Sequence, residues 1–219
     1  MKKMNKKGFT LIELLAVIVI LGLLMAIAIP SVTKYITQSR KKTLTNTMSN
    51  YMAALTTEVN NLSFTFTGSD TIYAVPIECI ALERGGTDPF GKWYPAATAN
   101  WAYVLVQYDD DNSSYTYGFT FKDSAGYGLK PTASHKLDEK GSQVVTGTGL
   151  DFDDLKVGDV TGGFAVDYSD SWAGFKVVTA DDTSTEADER TRLVVLKSSK
   201  GANNSDHGTT GLCNLAQEA

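Results

Sequence analysis

A single carboxylate, Glu13, interrupts the most apolar stretch of the 219-residue chain. Residues 9–29 read FTLIELLAVIVILGLLMAIAI, with no other charge. An unpaired carboxylate at the centre of a bilayer costs about 2.5–3.5 kcal/mol, so such a residue suggests a functional partner. The competing reading places Glu13 near the membrane interface, where it stabilises the start of a helix. Two cysteines, Cys79 and Cys213, could be oxidised to a disulfide or stay as two buried thiols. Neither has a second Cys or a His at ligand spacing, so no metal site is expected there. His135 and His207 are the only side chains that ordinarily titrate near neutral pH, and neither sits in a motif. The chain has no G-x-S-x-G, G-x-x-x-x-G-K-[ST] or H-E-x-x-H, so neither enzymatic activity nor a cofactor is expected. Asp109-Asp110-Asp111, Asp151-Phe152-Asp153-Asp154 and Asp181-Asp182 with Glu186, Asp188 and Glu189 lack the glycine and terminal Glu of a calcium loop. They read as a solvated acidic surface.

The elements that must carry these residues begin with the apolar run itself. As a helix, 21 residues at about 1.5 Å each span about 31 Å, close to the ~30 Å hydrocarbon core of a bilayer. Residues 1–8 hold Lys2, Lys3, Lys6 and Lys7 and no acid, which orients the helix with its N-terminus in the cytoplasm and the rest of the chain outside. Three readings compete: a secretory signal with a cleavage site at Ala26-Ile27-Ala28, a plain transmembrane anchor, and a retained helix that anchors first and packs later. The run is longer than an ordinary signal core and contains Glu13, which argues against the first. Charge is unevenly distributed. Residues 1–42 carry eight basic side chains and one acidic, whereas the remaining 177 carry 12 basic and 24 acidic. A net charge of −12 on that larger part disfavours nucleic-acid binding.

Lys6-Lys7-Gly8-Phe9-Thr10-Leu11-Ile12-Glu13 resembles the processing motif of type IV pilins and the related pseudopilins, and Pro30 also matches the family pattern. The resemblance covers about the first 55 residues. It implies cleavage between Gly8 and Phe9 by a prepilin peptidase, N-methylation of the new Phe9 amine, and pairing of Glu13 with the Phe9 amine of a neighbouring subunit. Glu13 would then set the register of a helical homopolymer. The implied partners are other copies of the chain, the peptidase, the pilus assembly machinery of the cytoplasmic membrane, and the membrane itself before assembly. The implied location is the membrane for the precursor and an extracellular filament afterwards.

Gly22 and Pro30 are poor helix residues, so a kink in one long helix is expected in the isolated subunit. The resemblance implies that this stretch can unwind in a filament. Beyond Pro30, Val32, Tyr35, Ile36, Leu44, Met48, Tyr51, Met52, Leu55, Val59 and Leu62 keep helical spacing and should lie against a sheet. Residues 101–108 and 114–121, either side of an Asp-rich turn, form a hairpin signal. Weaker strands are expected at 142–145, 163–167, 174–178 and 192–197. The expected organisation is a leader at 1–8, an apolar half-helix at 9–29, and an amphipathic half-helix at 30–62. An irregular connection with at most short elements follows at 63–100, then an antiparallel β-sheet head with a C-terminal tail at 101–219. This is an α+β, pilin-like layout. A head that folds outside the cytosol favours pairing of Cys79 with Cys213. The leading expectation is a structural subunit of a type IV pilus serving adhesion, aggregation or surface motility. A minor pilin or secretion pseudopilin is the runner-up, and a secreted, non-polymerising β-rich binding protein is the alternative from another class.

Overall fold

The computed structural model describes residues 9–61, 66–80, 82, 101–134, 137–138, 140–146, 156–160, 163–166, 172–177, 191–198 and 215–217. They form a long helix α1 (Leu11–Asn61), a 3-10 turn η1 (Ile77–Cys79) and nine strands. The strands are β1 (Thr71–Pro76), β2 (Trp101–Asp109), β3 (Ser114–Lys122), β4 (Tyr127–Ala133), β5 (Val145–Thr146), β6 (Lys156–Val160), β7 (Gly163–Val166), β8 (Arg192–Ser198) and β9 (Leu215–Gln217). Two compact units result, Met1–Arg40 and Lys41–Ala219.

In the first unit α1 runs through Gly22 and Pro30 as helix. Proline has no N–H to give the carbonyl four residues back. Two hydroxyls flank the gap: Ser31 Oγ donates to Ile27 O at 3.3 Å and Thr33 Oγ1 to Ile29 O at 2.9 Å. A Cβ on Gly22 would meet open space, so packing within the subunit does not require glycine there. Every residue from 9 to 36 is exposed in the subunit.

The second unit begins where α1 becomes amphipathic in fact as well as in pattern. Leu44, Met48, Tyr51, Leu55 and Val59, three or four residues apart, are buried in one core with Phe119 and Phe121 of β3. Val32, Tyr35 and Ile36, expected on the same packed face, are instead 54, 72 and 62% exposed. The buried residues of α1 start about two helical turns beyond Ile36, at Leu44.

The sheet is mixed and mostly antiparallel, in the order β5-β4-β3-β2-β1-β8-β7-β6, with β9 paired to β8. The hairpin expected from the sequence is β2–β3, in register from Trp101 opposite Lys122 to Asp109 opposite Ser114. Three expectations need correction. The stretch 63–100 contributes β1, which lies between β2 and β8 in the middle of the sheet. The β1–β8 pair is parallel, with Thr71 opposite Arg192 and Ala74 opposite Val195, because β8 returns to β1 after a crossover through the intervening strands. Residues 174–177 are not a strand but part of a segment laid on the sheet, and in the 142–145 stretch only Val145 is strand.

That segment explains why β2 is buried along both faces. Side chains alternate across a strand. Tyr117 faces the helix on the side of Thr56; burial, then the nearby Tyr115, pushes its hydroxyl up to about 12. Gly118 therefore faces the opposite side, and a Cβ there would come within 2.6 Å of the Phe175 ring and 2.3 Å of Thr132 O. Gln107, also on that side and buried, clips the segment in place. Its amide donates to Ser69 O (3.0 Å) and Lys176 O (2.6 Å) and accepts from Lys176 N–H (2.9 Å). Ala133 N–H donates to Ala173 O at 2.9 Å. The head is thus a sheet with the helix on one face and residues 172–177 on part of the other.

A turn at 138–144 meets the buried half of α1 at its first turn. Gly141 has φ +67, and a Cβ there would lie 3.0 Å from Lys41 O and 3.0 Å from Thr45 Oγ1. Left-handed backbone costs a non-glycine residue about 1–2 kcal/mol before any clash. Gly141→Ala is therefore expected to destabilise the head by at least that amount in urea unfolding, while Gly22→Ala leaves head stability unchanged.

Candidate assembly site at the helix N-terminus

The first turn of α1 is closed by a reciprocal cap. Thr10 precedes the helix, and Glu13 is the third residue inside it. Glu13 Oε2 accepts the Thr10 backbone N–H at 2.8 Å and the Thr10 hydroxyl at 2.8 Å, while Thr10 Oγ1 accepts the Glu13 N–H at 3.3 Å. The first intrahelical bond follows, Leu14 N–H to Thr10 O at 3.2 Å. This Thr-x-x-Glu arrangement satisfies donors that a helix start otherwise leaves unpaired, and such a cap is worth about 1 kcal/mol. It gives physical content to the helix-stabilising reading of Glu13. The sequence reading missed Thr10, although a Thr three residues before a Glu at the head of an apolar run is a signal for it.

Phe9, next to the cap, is 87% exposed. Gly8 lies outside the described residues, so the structure says nothing of the bond expected to be cut. A cut there would place a new amine one residue from the Thr10 N–H that Glu13 already holds. The carboxylate could then accept an amine while keeping part of the cap.

The other candidates fall in the head. Cys79 ends η1 and is buried; Cys213 lies outside the described residues. His135 and His207 lie outside them too, as do the acidic clusters at 151–154 and 181–189. Among the described residues no group of three or more His, Cys, Asp or Glu could hold a metal ion. The Asp109-Asp110-Asp111 turn is less purely a solvated surface than its sequence suggests. Lys176 Nζ reaches Asp109 Oδ1 at 2.6 Å and Asp111 Oδ2 at 3.2 Å, and Asp110 Oδ2 accepts the Ser69 N–H at 3.2 Å. Lys176, with help from Asn112, holds the Asp109 carboxyl at about 2. The acidic turn therefore ties together the hairpin, the residues before β1 and the segment 172–177, and nothing in the sequence singled out Lys176 as its partner.

Residues 3–29 match the family described as Prokaryotic N-terminal methylation motif. The N-terminal segment is type IV pilin-like. Over 39 residues the chain is 51% identical to the ComG operon protein 3 homolog of Bacillus licheniformis. That match covers 18% of this chain and 40% of the relative. No solved structure matches the chain. The methylation motif, with the apolar half of α1, is consistent with membrane anchoring.

The Asp109 ion pair has a definite pH signature. Its carboxyl is held below the ordinary value of 3.8, so the stabilisation is present above about pH 4 and is lost as pH falls towards 2. Lys176→Met should move Asp109 up towards the ordinary carboxylate range in an NMR titration, with Asn112 still holding it partly down, and should weaken the loss of head stability between pH 4 and 2.

Proposed function

We propose that the chain is a structural subunit of a type IV pilus or pilus-like filament. It would be made as a membrane-anchored precursor, cut between Gly8 and Phe9 by a prepilin peptidase, methylated on the Phe9 amine, and polymerised through α1 into an extracellular homopolymer. The observation that carries this reading is the capped carboxylate, Glu13, at the head of a membrane-length apolar helix that the subunit itself leaves uncovered. Glu13 would exchange part of its local cap for the Phe9 amine of a neighbour, so that it is paired both before and after assembly. Gly22 and Pro30 mark where α1 could unwind in the filament. Adhesion, aggregation or surface motility would belong to the assembled filament, with the pilus assembly machinery of the cytoplasmic membrane as partner and no catalysis by the subunit.

Similarity to a ComG operon protein 3 homolog supports a second reading within the same family, a minor pilin or pseudopilin. Subunit counts in purified filaments separate the two.

In the head we propose that Cys79 and Cys213 form a disulfide. Cys79 is buried just past β1, and β9 begins two residues after Cys213 with Leu215 opposite Ser198. Since β8 runs parallel to β1, with Val195 opposite Ala74, Cys79 and the start of β9 lie towards the same end of the sheet, which supports the pairing. By chain entropy, closing so long a loop stabilises by about 4–5 kcal/mol. Intact-mass spectrometry of filaments sheared from cells tests both proposals. The expected mass is that of a chain starting at Phe9 with one methyl added, gaining two hydrogens on reduction. A chain starting at Ile29 would instead mean signal-peptidase cleavage and a secreted binding domain.

Two substitutions separate the roles of Glu13. Glutamine also completes a Thr-x-x-Gln cap but carries no charge. Glu13→Gln and Glu13→Ala should both abolish surface filaments if the charge pairs with the Phe9 amine. Wild-type filament yield from Glu13→Gln would reduce Glu13 to a helix cap.

A further inference from the structure

Beyond Pro30, α1 carries about one more turn of exposed apolar side chains. Val32, Tyr35 and Ile36 share one face at three- and four-residue spacing and are 54, 72 and 62% exposed. Seven polar residues follow, 37–43 (TQSRKKT), and only at Leu44 does burial in the head begin. The helix therefore has three zones: a membrane-length run, a short amphipathic stretch, and a polar collar about 10 Å long before the head.

Their heights along the helix decide what the middle zone meets. With residues 9–29 filling the ~30 Å hydrocarbon layer, Val32 lies about 4.5 Å beyond its edge and Tyr35 about 9 Å at the Cα. The headgroup layer adds roughly 5–7 Å on each side. Helical side chains lean back towards the N-terminus, which returns the Tyr35 ring to that layer. Tyrosine suits it, with an apolar ring and a polar hydroxyl, and Lys34 at the same height can direct its ammonium towards lipid phosphates.

We propose that Val32, Tyr35 and Ile36, with Lys34, form an interfacial anchor that seats the unassembled subunit at a fixed depth in the outer leaflet. The partner is the boundary between acyl chains and headgroups of a phospholipid bilayer. The proposal rests on the membrane-anchoring reading and adds to it the residues that set depth. Continuity with the apolar run favours lipid as the covering partner of the lone subunit. A second copy of the chain, the other candidate to cover this face, is distinguished by the test.

The test places an added tryptophan at Tyr35→Trp or, as a deep reference, at Leu21→Trp in the full chain. Each variant is reconstituted in phosphatidylethanolamine–phosphatidylglycerol vesicles containing lipids brominated near the headgroup or near the acyl end. The unsubstituted chain supplies the background from the native tryptophans. Tyr35→Trp should lose its added emission to shallow bromines and keep it with deep ones, and Leu21→Trp should do the reverse. If Leu21→Trp is quenched by deep bromines while Tyr35→Trp is quenched by neither, the anchor is overturned and the membrane reading stands. If neither variant is quenched, both fail. Shallow quenching of Tyr35→Trp only in dilute vesicles, lost on crowding with protein, supports the anchor in the lone subunit. Protection at every protein-to-lipid ratio assigns the face to a second copy and overturns it.

Discussion

The first half of α1 cannot remain in water, and the rest of the molecule is arranged around that constraint. Every residue from 9 to 36 is exposed in the subunit, most of them large and apolar. Burying one such side chain contributes about 1.5–3 kcal/mol. Summed over the run, this exceeds the 5–15 kcal/mol that holds an ordinary domain together. The stretch must therefore lie in lipid or against other helices. The head has a core of its own, which begins at Leu44 and is filled from Met48 to Val59 by the other half of the same helix.

Within that constraint Glu13 is the one group that needs an answer in every environment. In the subunit the answer is local: Thr10 supplies an N–H and a hydroxyl, and the carboxylate in turn completes the helix start. A carboxylate held this way does not enter an apolar medium as a bare charge. Exchanging part of the cap for an amine replaces one donor by a stronger, charged one. The helix cap and the proposed assembly contact can thus be successive uses of one side chain.

The head solves a different problem, fixing the second half of α1 to a sheet. Three close fits do this. Gly141 lets the turn at 138–144 reach the backbone of Lys41, Gly118 leaves room for Phe175 on the far face, and Gln107 binds that segment with both ends of its amide. Lys176 adds a charge pair to the β2–β3 turn. Covered on both sides, β2 tolerates Trp101 and Tyr103 in full burial where a one-sided sheet would carry polar residues.

The local features were legible in the sequence because local spacing determines them. These are the apolar run broken only by Glu13, the helical steps from Leu44 to Val59, and the β2–β3 hairpin around its aspartates. The Thr10 cap was equally legible, since it needs only residues three apart. The apolar run of β2, which shows no alternation, already carried the mark of a strand buried on both faces. Only the tertiary structure decided which part of the helical stripe is packed, because Val32 and Leu44 follow the same periodicity and only Leu44 is buried in the core. It also decided that 71–76 is a central strand and that β8 returns parallel to it. Gln107 and Lys176 meet across nearly seventy residues for the same reason: contacts between distant segments depend on the folded topology and leave no periodic trace in the chain.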